Sequence, residues 1–188
     1  MKKLFLLGVM SALFLAACGE DEAKPKEEKP VVAEAKEKGE KKEPATITIE
    51  QYESNFVDAF NELKGDSNIA LGNMEKLDNG RYSLILNSDI MLFADANKKG
   101  EVTVVSLAAL SSAVDNYNDL LKSAFQAMIK SVDESITDTQ QTVIFDKLGI
   151  TGDEKMLDHT DTYKYKDITF VYRAKNEEGT LTFQAKLD

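Results

Sequence analysis

The composition of the chain changes sharply near residue 46, and this change decides how much of the 188 residues can fold. Residues 19–46 contain all three prolines, seven Lys and nine Asp or Glu residues, and no aromatic side chain. Such a segment cannot bury enough apolar surface to offset the entropy lost on ordering. We therefore predict a disordered tether over 18–46 and a single folded domain over 47–188, which is long enough to form its own hydrophobic core.

The first residues have the three-part order of a secretory signal peptide, which we assign to 1–17. Lys2 and Lys3 precede an apolar run, and small residues then lead to Cys18, the only cysteine. The run is too short to cross a bilayer, because crossing needs about 20 apolar residues. An ordinary signal peptide with an incidental cysteine is one interpretation. The other depends on the four residues Leu15-Ala16-Ala17-Cys18.

These four residues resemble the lipobox of bacterial lipoproteins. The resemblance implies cleavage before Cys18, a diacylglyceryl thioether on its sulfur, and often a further acyl group such as palmitate on the new amino terminus. Two or three acyl chains anchor a protein stably, whereas one holds only marginally. The implied location is the exported side: the outer membrane or periplasm of a Gram-negative host, or the outer face of the cell membrane of a Gram-positive host. The residue after Cys18 is Gly19 and not aspartate. In a Gram-negative host, the family's sorting rule then favours the outer membrane.

The net charge of the chain limits the partners of the folded domain. The two lysines of the signal peptide and the net −2 of the tether cancel, so the domain carries the same net charge of −10 as the whole chain. Binding to nucleic acid needs a basic face, and we predict none here. With Cys18 used for lipid, the domain has no cysteine for a disulfide and depends on core packing.

Three sequence patterns in the domain predict helices. Two capping boxes, Thr48 with Gln51 and Thr137 with Gln140, predict helix starts. Between them, apolar residues recur at spacings of three and four over 114–132, which predicts the longest helix.

Strand signals follow each helical region. Alternating apolar residues and turn sequences predict a meander of three or four strands over 67–105 and a hairpin over 163–187, with a turn or bulge after Asp167. The order is helix, meander, two helices, hairpin. We predict an α+β fold with an antiparallel sheet of about five to six strands and helices packed on one face.

The sequence offers few candidates for chemistry. The one histidine, His159, lies in Asp158-His159-Thr160-Asp161, and no Gly-x-Ser-x-Gly motif exists to provide a nucleophile for it. We interpret His159 as an exposed loop residue. The alternatives are a weak metal site with Asp158 and Asp161, or a catalytic base.

Two further acidic patterns are better explained by structure than by function. Residues 95–100 resemble the start of an EF-hand loop, but Lys99 and Ser106 stand where calcium ligands are needed, so we predict a hairpin turn. Asp115 and Asp119 are one helical turn apart and are interpreted as a solvated helix face. We therefore assign no catalytic, cofactor-binding or metal-ligating residue.

Aromatic residues are concentrated in the last hairpin. Tyr163, Tyr165 and Tyr172 form a possible interaction surface if they point outward, because Tyr is favoured at interfaces, and they belong to the core if they point inward.

The leading hypothesis for function is a lipid-anchored cell-envelope protein, attached to the membrane through Cys18, whose acidic domain binds an envelope protein or a ligand without catalysis. One alternative is an envelope hydrolase that uses carboxylates or His159. Another is an exclusion or inhibitor lipoprotein of a mobile element.

Overall fold

The structure is a computed structural model, and it describes residues 46–151 and 158–188. All of these belong to one compact unit, Lys41–Asp188. The predicted signal peptide, Cys18 and the tether up to residue 45 lie outside the described residues.

The domain alternates helical and strand regions. Helix α1 is followed by four strands, then by three helices, then by three more strands. In chain order the elements are α1 Ile49–Leu63, β1 Glu75–Lys76, β2 Tyr82–Ile85, β3 Ile90–Ala96, β4 Val102–Leu110, α2 Ser112–Asn116, α3 Asn118–Val132, α4 Asp138–Lys147, β5 Thr160–Tyr165, β6 Ile168–Lys175 and β7 Thr180–Leu187.

All seven strands form one antiparallel sheet in the order β1-β2-β3-β4-β7-β6-β5. The two groups of strands meet at its centre, where the last strand of the first group, β4, pairs with the last strand of the second, β7. The predicted α+β fold with an antiparallel sheet is confirmed. The predicted count of five to six strands is too low.

The first meander has four strands, as the prediction allowed, and its short first strand, β1, pairs with β2 before the Asp78–Gly80 turn. Two other details of the prediction differ from the structure. The last strands form a three-stranded meander, because the irregularity after Asp167 is a two-residue turn in which Lys166 has a φ of 53°. The long helix predicted over 114–132 is broken at Tyr117, whose φ of −139° is not helical.

The core lies between the helices and one face of the sheet, which we call the core face. Directly paired residues project to the same face, and the row Leu92, Leu107, Phe183 and Tyr172 is fully buried. Helix α3 packs on this face, with Phe125 contacting Phe183 and Tyr172 edge to face. Helix α1 packs beside α3, and the Ser123 hydroxyl donates to the Leu63 carbonyl at 2.9 Å.

Candidate functional site

The side of the sheet opposite the core face, here called the open face, carries large apolar side chains in its β2–β4 part. Ile85 is 61% exposed and Leu110 is 45% exposed. On the same face, half-buried Met91 pairs with Ile85, and half-buried Phe93 and Val104 continue the apolar surface farther along β3 and β4. Contiguous exposed apolar side chains are typical of interaction surfaces, so this part of the open face is a candidate binding surface.

Arg81 fixes part of this surface. Its guanidinium Cζ lies 4.9 Å from the centre of the Phe93 ring, and its Nε donates to Asp95 Oδ1 at 2.8 Å. The cation–π contact and the ion pair together hold the guanidinium over the ring. Both charged side chains remain more than a third exposed, so the pair positions groups and contributes little to the free energy of unfolding.

The β5–β7 part of the open face is polar and rich in basic residues. The Gln184 amide donates to the Ser106 hydroxyl at 3.2 Å near the centre of the sheet. Basic side chains outnumber acidic ones on the open face as a whole, in contrast to the net charge of −10 of the domain. The basic residues are Arg81, Lys164, Arg173, Lys175 and Lys186, and the acidic residues are Glu75 and Asp95, with Glu178 and Asp188 at the rim.

Several of these basic groups pair with carboxylates at the rim of the open face. Lys164 donates to Asp188 at 2.7 Å, and this hydrogen bond raises the pKa of Lys164 and lowers the pKa of Asp188. Lys175 and Arg173 both contact Glu178, and the hydrogen bond from Lys175 lowers the pKa of that carboxyl. These groups are exposed, so the pairs stay open to exchange with a charged partner.

The tyrosines predicted as a possible surface lie on the core face instead. Tyr172 is fully buried against Phe125, so its inclusion in an exposed interaction surface is wrong. The cause is register, because Tyr172 pairs with Phe183, which faces the helices. Tyr163 and Tyr165 share this face but are only half-buried, because β5 is the last strand of the sheet.

His159 is half-buried, and the prediction of an exposed loop histidine is wrong. Its Nε2 lies 2.9 Å from the Leu148 carbonyl oxygen, which can only accept, so a neutral ring carries its proton on Nε2. The ring also packs on Tyr172 at 4.9 Å between centroids. Gly149 has a φ of 66° and approaches the ring so closely that a Cβ there would lie 3.1 Å from Nε2. His159 thus connects the end of α4 to the sheet, through its hydrogen bond to Leu148 and its contact with Tyr172.

A cleft of about 580 Å³ lies beside this histidine, lined by Asp158, His159, Thr160, Lys175 and Glu178 among others. Of the possible metal site with Asp158 and Asp161, the Asp161 carboxylate lies 3.7 Å from Nε2 of the ring. Across residues 46–151 and 158–188, no three His, Cys, Asp or Glu side chains come together as metal ligands would. The nitrogen nearest Asp161 is Nε2, which already donates to the Leu148 carbonyl. This arrangement favours a structural role for His159.

Of the other two acidic patterns, the predicted hairpin turn is confirmed, whereas the predicted single helix face is not formed. Residues 97–100 form the turn between β3 and β4, with the Asn97 side-chain oxygen accepting from the amides of Lys99 and Glu101. Asp115 and Asp119 are exposed, but they lie on different helices because Tyr117 separates α2 from α3.

The sequence reasoning missed the open face, although a signal was present. Strand β2 carries apolar residues on both sides, with Leu84 buried and Ile85 exposed. Strict alternation between apolar and polar residues would have placed a polar side chain at position 85. The apolar residue Ile85 at this position therefore indicates a second apolar surface.

In the part of the chain that the structure describes, no helix has the length and apolar character needed to cross a membrane. Comparisons of the chain with protein-family models, with curated proteins and with solved structures find no match.

Proposed function

We propose that the chain is a lipid-anchored protein of the cell envelope whose domain binds another protein through the open face, without catalysis. The anchor rests on the resemblance of residues 15–18 to the lipobox. The binding role is supported above all by one observation: the open face of the sheet exposes Ile85 and Leu110, whereas the other face is covered by helices.

The composition of the open face indicates the chemistry of its partner. An apolar centre with basic residues around it is complementary to a protein surface that carries apolar side chains and carboxylates. Such a partner would exchange its carboxylates for Glu178 and Asp188, which now contact Arg173, Lys175 and Lys164. An inhibitor or exclusion protein would be a special case in which the partner is an enzyme or a channel.

The geometry gives less support to a hydrolase. The Nε2 atom of His159 donates to a backbone carbonyl, and the ring packs on the buried Tyr172. A general base needs a nitrogen within reach of the proton that it removes. We therefore propose a structural role for His159 and no catalytic one.

Photo-crosslinking in cells tests the binding role. A photoreactive amino acid at position 85 should crosslink the full chain to one partner, whereas the same group at exposed position 62 on α1 should not. Lys186→Glu should reduce the crosslink, because it weakens attraction to carboxylates, and Lys147→Glu at an exposed position of α4 should leave it unchanged. Equal crosslinking from both faces, or none from position 85, would contradict the proposal.

The anchor is tested separately. Mass spectrometry of the mature chain should find residue 18 as the amino terminus with a diacylglyceryl group on its sulfur. Cys18→Ala should leave the precursor uncut and remove the lipid. An unmodified thiol on Cys18 in the wild-type chain would refute the anchor.

A further inference from the structure

The two edges of the sheet differ in how they are protected. One edge is β1, which has only two residues, and such short strands resist pairing with other chains. The other edge is β5, which has six residues and, within 46–151 and 158–188, pairs with β6 alone. It contains neither proline nor a bulge, and its only charged residues are Asp161 and Lys164. Strand β5 is therefore the edge that is open to strand addition.

The hydrogen-bond pattern shows which backbone groups of β5 point outward. Tyr165 and Ile168 flank a two-residue turn and form a bonded pair, and the Ala174 amide donates to the His159 carbonyl at 2.9 Å. Because bonding alternates along an antiparallel strand, Thr160, Thr162 and Lys164 direct their amides and carbonyls away from β6. Among the described residues, no backbone group hydrogen-bonds to these outer amides and carbonyls, and all three side chains are exposed.

We propose that two copies of the chain pair through β5 as antiparallel strands related by a two-fold axis at Thr162. In this register Thr162 lies opposite Thr162 of the second copy, and Lys164 lies opposite Thr160. All three outward residues of each copy then form backbone hydrogen bonds.

The neighbouring registers are less favourable. An axis at residue 161 or at residue 163 would use only two outward residues of each copy, and the axis at 161 would also place Asp161 opposite its own copy. An axis at residue 164 would also use only two outward residues of each copy, and it would place Lys164 opposite Lys164 of the second copy. Like charges directly opposite each other destabilise a sheet, whereas the axis at Thr162 opposes none. The half-buried Tyr163 would then lie beside Asp161 of the second copy and become more buried.

The pairing has a consequence for the open face. Directly opposed residues project to the same side of a sheet, so both open faces lie on one side of a sheet of twice the width. The dimer would present two copies of the proposed binding surface on the same side of the sheet, separated by β7, β6 and β5 of each copy. This inference goes beyond the proposed function and is independent of it, because it depends on the edge of the sheet and not on its face.

A cysteine crosslink tests the register in the full chain in its membrane. Bonded antiparallel pairs have Cα atoms about 5.5 Å apart, within the range that a disulfide spans. Thr162→Cys should therefore shift the chain to twice its mass on a non-reducing gel after mild oxidation. The unsubstituted chain, with Cys18 as its only cysteine, measures the background.

Two matched controls lie on the same strand and the same side of it. Thr160→Cys or Lys164→Cys alone should not crosslink, because each residue would be about 13 Å from its own copy, four residues along a strand. The two variants expressed together should crosslink to each other. Crosslinking of Thr160→Cys alone, or the absence of a dimer with Thr162→Cys, would overturn the proposed pairing.

A second variant tests the pairing without cysteine. Thr162→Pro removes an outward amide, and proline is tolerated on the outer side of an edge strand, so the domain should fold. The mass of the detergent-solubilised chain should fall from dimer to monomer. A wild-type monomer, or a dimer that survives this substitution, would refute the inference. Crosslinking from position 85 to a partner does not depend on this edge, so it reports on the proposed function alone.

Discussion

Tyr52 lies wholly inside the core, and its hydroxyl has no hydrogen-bond partner among the described residues. An unpaired buried polar group costs about 1–3 kcal/mol. Burial also raises the pKa of this phenol far above its usual value of 10.0, because the ionised form would lose its solvation.

We expect Tyr52→Phe to increase the free energy of unfolding by about 1 kcal/mol, because it removes the unpaired hydroxyl and keeps the ring. Urea denaturation at neutral pH measures the change. Tyr117→Phe makes the same chemical change at a side chain that is 40% exposed, and it should have no effect. Destabilisation by Tyr52→Phe would show that the hydroxyl is hydrogen-bonded.

The same residue predicts a dependence on alkaline pH. The folded pKa of Tyr52 is raised, so its contribution to stability is complete below the unfolded pKa of 10.0 and is lost as pH rises above it. The stability of Tyr52→Phe should decline less steeply above pH 10 than that of the wild-type chain. Parallel declines in urea midpoints would contradict this.

His159 supports the end of α4 through one hydrogen bond and one ring contact. We expect His159→Ala to lower the free energy of unfolding by about 1–2 kcal/mol, because the Leu148 carbonyl loses its donor and Tyr172 loses packing. His159→Gln retains a donor and should recover part of the loss. Urea denaturation of the three chains would measure this, and unchanged stability of His159→Ala would remove the structural role.

At the scale of single elements, α4 depends on its cap. It buries only Gln141 and Ile144, so packing holds it weakly, and its first turn is fixed by the reciprocal bonds between Thr137 and Gln140.

Thr137→Ala should therefore cost about 1 kcal/mol, because it removes the side chain that caps the helix. Thr142→Ala places the same substitution on the exposed side of the same helix, where alanine is the better helix former, and should be neutral or slightly stabilising. Thermal unfolding followed by circular dichroism would compare them. Equal effects at both positions would mean that the cap does not hold this helix.

Elements whose ends are set by local bonds were predictable from the sequence. Both capping boxes and the Asn97–Gly100 turn are confirmed, because each depends on bonds between residues at most four apart. The break at Tyr117 was not predictable. Helix α3 begins without a side-chain cap, and the apolar spacing continues across the break. Nothing local marks it, and the path that the chain takes over the sheet decides it.

At the scale of the whole domain, one polar cluster joins the helical layer to the sheet. Asp133, at the end of α3, accepts from Lys166 in the β5–β6 turn at 3.0 Å and from the amide of Ser135 at 2.9 Å. Partial burial alone would raise the pKa of Asp133, but the hydrogen bonds from Ser135 and Lys166 outweigh it and lower the pKa below its usual 3.8.

This cluster predicts a dependence of stability on acid pH. Since the folded pKa is depressed, the contribution of Asp133 is present above the unfolded value of 3.8 and is lost as pH falls below it. Asp133→Asn should be less stable than wild type at pH 7, and the difference should vanish near pH 2. Asp58→Asn, on the exposed side of α1, should show no such convergence. Urea midpoints of the three chains across this pH range measure the differences in stability. A difference between wild type and Asp133→Asn that stays constant with pH would refute the lowered pKa of Asp133.

The sequence by itself determined the starts of α1 and α4, the turns, the alternation that makes strands and the absence of a disulfide within the domain, and it supplies the prediction of a lipid anchor at Cys18. These follow from neighbouring residues, through local hydrogen bonds, backbone angles and composition. The tertiary structure alone decided that β4 meets β7, that Tyr172 faces the helices and that β5 forms an edge. Alternation gives every strand two faces, but only the packing of distant segments determines which face and which edge stay uncovered.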